Sequence, residues 1–381
     1  MRHLHPRTAL VALGALLALV ASGCTGTSVS IGWSGPVASE GRVHLGTIAG
    51  KVVAFEAATG RVVSSPGGSP WVFDIEAKLN KRFYATVAVA ESGVFAASYD
   101  GKLYALDAAT GQRRWAFQAG TKTTDTLVGD VVVGEGLILV GSSDGKLHAL
   151  EATLERAKPR WSFPTGGKIW SAAAVHQGTV YVGSLDRHLY AIDAVTGQEK
   201  WRFPARGSQQ RIGAVASAPV VAGATVYVGS FDHKLYALNA ADGSVKWTFD
   251  GAQGWYWSRP LIDGDRIYAA NLDGRVYALR DEGTRYSTPW PEPAQLNAGV
   301  RSDPVLLGST LAVAGQDGSL HFLDVASGRQ IDTQAAGAPV LAGLATDGQL
   351  LFVATTKQTL RAFDARTRAE RWSIRTDQIG R

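Results

Sequence analysis

The chain has 381 residues, 45% of them apolar, with 44 glycines, a single cysteine and a formal charge of +5. One cysteine excludes an intramolecular disulfide and any vicinal cysteine pair. Arg2 and Arg7 lie in an acid-free leader, so the remainder has an excess of only three positive charges and no dense basic run, which leaves no electrostatic footprint for nucleic acid.

The first segment reads "MRHLHPRTALVALGALLALVASGC". A basic start, an apolar run from Ala9 to Val20 and small residues before Cys24 give the layout of a secretory signal over residues 1–23. That run of 12 is short of the roughly 20 residues that span a bilayer. A lone cysteine directly after it reads as a lipid anchor, and "ASGC" resembles a bacterial lipobox, with Ala21 where Leu is commoner. A diacylglyceryl group plus an N-acyl chain supplies the two signals that stable attachment needs. Thr25 rather than Asp follows the cysteine, which points to an outer membrane where the cell has one. Residues 24–30 form a polar tether, and 31–381 form the folded domain.

That domain is repetitive. "SYDGKLYALDAATGQRRW" (98–115), "GSLDRHLYAIDAVTGQEKW" (183–201) and "GSFDHKLYALNAADGSVKW" (229–247) each read turn, strand, turn, tryptophan. Asp-Gly at 100–101 and 144–145, and Asp-Arg at 186–187, suit a two-residue type I′ hairpin turn. Leu189 to Ile192 form a strand with no polar face, covered on both sides. Asp193 suits an Asx turn that Gly197 closes in the left-handed region. The Asp193 position recurs at Glu56, Asp107, Glu151, Asn239, Arg280, Asp324 and Asp364, a mean spacing of 44 residues. Two further apolar runs precede each hairpin, the first often introduced by Ser-x-Pro, as in "SAPVV" at 217–221. The expectation is an all-β chain: an eight-bladed β-propeller of four-stranded antiparallel blades that occupies the whole domain. An open solenoid is the alternative, but eight units suffice to close a ring.

"ALDAATGQRRW" (105–115), "AIDAVTGQEKW" (191–201) and "ALNAADGSVKW" (237–247) resemble the tryptophan-docking motif of quinoprotein-like (PQQ-type repeat) propellers. The resemblance implies that Trp115, Trp201 and Trp247, with Trp161, Trp290 and Trp372 of degraded copies, pack between blades and touch the turn of their own motif. Ser64 and Asp332 stand where units one and seven would carry the tryptophan, so those seams are expected to be looser. Within that superfamily the chain is most similar to the BamB-type outer-membrane-assembly lipoproteins, which implies a non-catalytic scaffold beside the barrel-inserting machinery. Members of that family grip a partner with a Leu/Arg cluster and paired acids in loops of the middle blades. The corresponding stretches here, "RIGAVASAP" and "GWYWSRP", carry neither.

Catalytic candidates are few. His148 and His321 replace the repeat tyrosine, and His188 and His233 are expected in exposed turns. No metal-ligand spacing or phosphate loop is present, and a working PQQ dehydrogenase of the resembled superfamily would carry a vicinal cysteine pair. No enzyme, cofactor or metal is therefore expected. A propeller that senses a sugar or peptide at its funnel is the second reading, and a quinoprotein with unusual ligands is the third.

A partner site is expected at one mouth of the channel. Counting back 13 residues from Gly46, Ala97, Gly183 and Ala270, which close the second strands, gives Trp33, Tyr84, Trp170 and Trp257. The same count gives Val128, Ala216 and Leu341, with Arg301 one residue off register. Arg82, Lys168, Trp255, Arg259 and Arg301 add donors and rings, the residue types enriched at interface hot spots. The alternative is that these aromatics only plug the channel.

Overall fold

The protein is seen in a computed structural model that describes residues 34–76, 80–122 and 124–379. The expected Cys24 anchor, the 1–23 leader, the tether and Trp33 lie outside the described residues. Eight antiparallel sheets follow one another along the chain, each contiguous in sequence and running in order from innermost to outermost strand. Seven have four strands. In the sixth the outer strand is split into Tyr286–Ser287 and Ala294–Gln295, both paired with Arg275–Asp281. Pro289, Pro291 and Pro293 lie in the gap, and proline offers no N–H to a ladder.

Blade 4 shows the local logic. Its strands are Ala174–His176, Thr179–Ser184, His188–Asp193 and Glu199–Phe203. Leu189 to Ile192 are buried on both faces because each blade is sandwiched between two others. Ser184 pairs with His188, which leaves a three-residue loop at 185–187. The expected type I′ turn is therefore corrected. Only the last loop residue is left-handed (Arg187, φ 73°; Gly101, φ 83°), giving a type I turn closed by a left-handed residue. From its negative φ, Asp186 accepts the His188 N–H at 3.1 Å and the Tyr190 hydroxyl at 2.7 Å. At the next reversal Asp193 Oδ1 accepts N–H groups of Val195 (3.1 Å) and Thr196 (2.8 Å), and Gly197 sits at φ 71°.

The tryptophans close the seams between blades, but each reaches the following blade rather than its own turn. Trp115 Nε1 donates to Thr153 O (2.9 Å), Trp161 to Ala194 O (2.9 Å) and Trp201 to Ala240 O (3.0 Å). Trp290 donates to Val325 O (2.9 Å), and Trp247 to the Asp281 carboxylate (2.8 Å). Burial alone would raise the Asp281 pKa; hydrogen bonds from Tyr227 and Trp247 outweigh it and hold the carboxyl below its usual range. A Cβ on Gly243 would lie 2.5 Å from Trp201, which is why a glycine faces the indole there.

Unit one departs from expectation. After Val63 the chain leaves the sheet in a loop closed by the Ser64–Pro70 bridge and returns at Trp71. Trp71 is fully buried, its carbonyl accepts Ala54 N–H at 3.2 Å, and Nε1 donates to Ala108 O of blade 2 at 2.9 Å. An insertion displaced the docking tryptophan by seven positions; it did not delete it. Unit seven is truly different. In the other matched blades the tryptophan pairs with an alanine, as in Ala191–Trp201 and Ala362–Trp372, whereas Asp332 pairs with Phe322. Across that seam Arg368 (φ 64°) occupies the position that glycine holds in the neighbouring repeats. Its guanidinium lies 3.9 Å from Asp332 and 5.7 Å from the Phe322 ring centre.

The ring is closed, which overturns the solenoid alternative. The innermost strands of blades 1 and 8, Val37–Ser39 and Ala345–Thr346, are neighbours. Trp372 Nε1 donates to Ala57 O at 2.9 Å, and Val43, Phe55, Phe352 and Leu360 share one core. Strand alternation places every approach to an innermost strand, and every turn between second and third strands, on one face of the disc.

Candidate functional site

That face carries the expected residues. Eight aligned triplets lead into the innermost strands, and their described members include Tyr84-Ala85-Thr86, Trp170-Ser171-Ala172, Trp257-Ser258-Arg259 and Arg301-Ser302-Asp303. The second strand of blade 7 ends at Ala314, so Arg301 is in register, not one residue off. Serines of the triplets tie neighbouring segments together: Ser217 Oγ donates to Ser258 O at 2.8 Å, and Ser34 Oγ to Ala85 O at 2.9 Å.

Val128, Trp170, Ala216, Trp257, Arg301 and Leu341 line a single central cavity of about 70 Å³, together with Thr86, Asp130 and Asp303. The rings meet across it. Trp170 and Trp257 have centroids 6.2 Å apart, and the Arg301 guanidinium lies 3.9 Å over Trp257. Burial pushes the Arg301 pKa down to about 10, and stacking on the indole offsets part of the lost hydration. Lys168 Nζ is 5.8 Å from the Trp170 ring centre.

Trp255 stands outside this cavity. It stacks on Phe231 at 4.8 Å and 10°, and Trp257 stacks on the same Phe231 at 5.5 Å and 26°. The three rings form one stacked block at the rim, with Phe231 buried and both indoles half-buried. Arg259 is held beside it: its N–H donates to Asp303 Oδ1 at 2.7 Å and its side chain lies 3.5 Å from Oδ2 while remaining half exposed. Tyr84, by contrast, is buried against Tyr99 at 5.0 Å and does not line the cavity. Arg82 is half-buried.

Three participants were missed in the sequence: Phe231, Asp130 and Asp303. Phe231 lies two residues after Gly229, which closes its repeat's second strand, in the turn to the third, so counting back from the strand end reaches Ala216 and passes Phe231 by. Asp130 accepts Thr86 N–H at 2.6 Å, and burial with the nearby Asp303 charge pushes its carboxyl above the usual range.

The histidines are repeat-framework residues. His148 lies 3.7 Å from Asp144, and His321 Nδ1 is 2.8 Å from Gln330 Oε1. His188 and His233 are half-buried rather than exposed, because the three-residue loop folds back on its strand. Among the described residues no three His, Cys, Asp or Glu are grouped to hold a metal ion, and no helix is long and apolar enough to cross a membrane.

Comparison with known proteins agrees with this architecture. The family described as outer membrane protein assembly factor BamB matches residues 14–153, 100–292 and 273–379. The chain belongs to that family. A curated relative, the outer membrane protein assembly factor BamB of Bordetella pertussis strain Tohama I, is 35% identical over 102 residues. The matched stretch spans 27% of this chain and 25% of that relative's length. Among solved structures, BamB from Moraxella catarrhalis superposes with a TM-score of 0.67 at 18% identity, covering 84% of this chain and 93% of that one. The computationally designed Ika8 protein gives a TM-score of 0.70 at 12% identity, covering 87% and 95%. At such identities these two structures speak to the fold alone.

Proposed function

We propose that the chain is a non-catalytic scaffold of the cell envelope, anchored through Cys24 after removal of residues 1–23 and acting with protein partners in outer-membrane protein assembly. The relatives' description as assembly factors supports the role. The observation that carries the site is the Phe231–Trp255–Trp257 block with Arg259 and Arg301 around it. Pre-stacked rings lose little conformational entropy on binding, so aromatic and arginine contacts at such a rim contribute more than the same residues on mobile loops.

The rim, rather than the channel, is the gripping surface. A cavity of about 70 Å³ holds about two waters and is far below the 300–1,000 Å³ of ordinary small-molecule sites. That volume speaks against a sugar or a quinone seated in the funnel. Trp170 and Trp257 combine both expected roles: they fill the channel and brace the rim.

Trp255→Ala, and separately Trp170→Ala with Trp257→Ala, are expected to abolish co-purification of the assembly machinery from detergent-solubilised envelopes. Melting should stay within a few degrees of wild type for Trp255→Ala. Undiminished capture by both variants refutes the site. Loss of capture only where melting collapses assigns the tryptophans to the plug.

A further inference from the structure

A second concavity lies on the same face, away from the channel. A cavity of about 560 Å³ opens between the 186–188 turn of blade 4 and the 204–212 connection to blade 5. Arg187, Arg202, Arg206, Arg211 and His188 line it, with Asp186 as the one acid among the lining residues.

The acids there are already committed. Glu199, at the start of the outer strand, takes both Arg202 and Arg206, the latter at 3.0 Å, which fastens the connection to the blade. Asp186 accepts from Tyr190 (2.7 Å), from Gly166 N–H (2.7 Å) and from His188 N–H (3.1 Å). Arg202 in turn lies 4.9 Å over the Tyr190 ring. Two guanidiniums remain. Among the described residues Arg211 is held by backbone carbonyls, Nη1 donating to Ser208 O and Gln210 O at 2.9 Å each. Arg187 forms no ion pair with any described residue.

We propose that this cavity is a phosphate site, occupied by the phosphate of an anionic lipid headgroup or by a free phosphate. Guanidinium forks match the geometry of phosphate oxygens, and a charge-assisted pair of this kind is the strong class of hydrogen bond. An arginine already fixed by backbone carbonyls gives up less side-chain freedom on binding. The described chain begins at Ser34 on this same face. Nine residues separate it from Cys24, ten chain steps that reach at most roughly 35 Å. The headgroup source rests on the lipidation proposed above; the phosphate site itself does not.

The full-length protein is titrated with inorganic phosphate at constant ionic strength, with chloride as the control, and melting and calorimetry are read. The variant is Arg187→Asn with Arg211→Gln: asparagine tolerates the left-handed backbone at 187, and glutamine keeps the stem of Arg211. Wild type is expected to show saturable phosphate binding that weakens at least tenfold in the variant, with the ligand-free melting point unchanged. A Lys-for-Arg version at both positions, which keeps charge but loses the fork, should bind in between. In a second arm, Cys24→Ser chains with and without the two substitutions are sedimented with vesicles of equal parts phosphatidylglycerol and phosphatidylcholine, or of phosphatidylcholine alone. Substitution-sensitive binding to the anionic vesicles assigns a headgroup; phosphate binding without it assigns a soluble phosphate. Equal behaviour of wild type and variant toward both probes overturns the site.

Discussion

The blade 7–blade 8 seam offers a test of how the ring is packed, because three residues there have exchanged roles together. Phe322 fills the side of the strand pair where the other matched blades place a tryptophan, and Asp332 with Arg368 replaces the indole and the facing glycine. Phe322 is fully buried, so Phe322→Ala in the wild-type chain is expected to cost about 3–5 kcal/mol. Asp332→Trp with Arg368→Gly should also destabilise, since the new indole meets the Phe322 ring and overpacking costs about 1–3 kcal/mol. Adding Phe322→Ala to that pair rebuilds the common seam, with Ala opposite Trp and glycine at a φ of 64°. The triple variant should therefore fall within about 1–2 kcal/mol of wild type, a coupling of several kcal/mol where contacting residues usually couple by about 0.5–3. Urea-unfolding midpoints of the four proteins, with m-values checked for constancy, measure it. If Phe322→Ala costs the same in both backgrounds, the three residues do not act as a unit and the reading of this seam is wrong.

Trp71→Ala should lower stability by about 3–5 kcal/mol, whereas Ser64→Ala, at the position where the repeat count puts the tryptophan, should stay within about 0.5 kcal/mol; thermal melts of the two separate the assignments. His44 is buried beside Trp71 and its pKa is pushed down to about 4, by burial first and by the Arg42 charge second. Between pH 6.5 and 4 the unfolded chain therefore binds a proton that the native state refuses, so stability falls as the pH drops through this window and levels off below it. Relative to His44→Leu, wild type should lose about 3 kcal/mol between pH 7 and 4, read from denaturation midpoints at each pH; parallel pH profiles would contradict it. Cys24→Ser should leave an unprocessed leader or release the protein from membranes on fractionation, and a variant processed and membrane-bound like wild type would remove the lipid anchor.

Much of the architecture was legible because it repeats. Asp193, Gly197 and Trp201 recur with their spacing intact, and each occurrence corroborates the others, so strand count, blade count and closure followed from sequence. What was misread is local and non-periodic. The loop at 64–70 moved Trp71 out of count, although its carbonyl bonds Ala54 just as a docking tryptophan should. The hairpin was misassigned because Asp-Gly is compatible with two turn types, and only the pairing of Ser184 with His188 decides between them. At the mouth, counting located the tryptophans, but their mutual contact and the interposed Phe231 depend on side-chain directions across three blades, which no spacing encodes. The phosphate site escaped notice for a similar reason. Arginines abound along the chain, and what distinguishes Arg187 and Arg211 is that their neighbours' acids are already bonded elsewhere.

The rim around Trp255 is proposed as the surface on which this propeller holds its partner. The direct measurement places a photo-crosslinking amino acid at Arg259 in the full-length protein, in intact envelopes, and at Val195 as the control. Val195 is 85% exposed in a turn between third and fourth strands, on the opposite face. Light-dependent adducts with a component of the outer-membrane assembly machinery from position 259 and none from 195 are the predicted result. Adducts from 195 alone, or none from either position in envelopes that contain that machinery, would contradict the account.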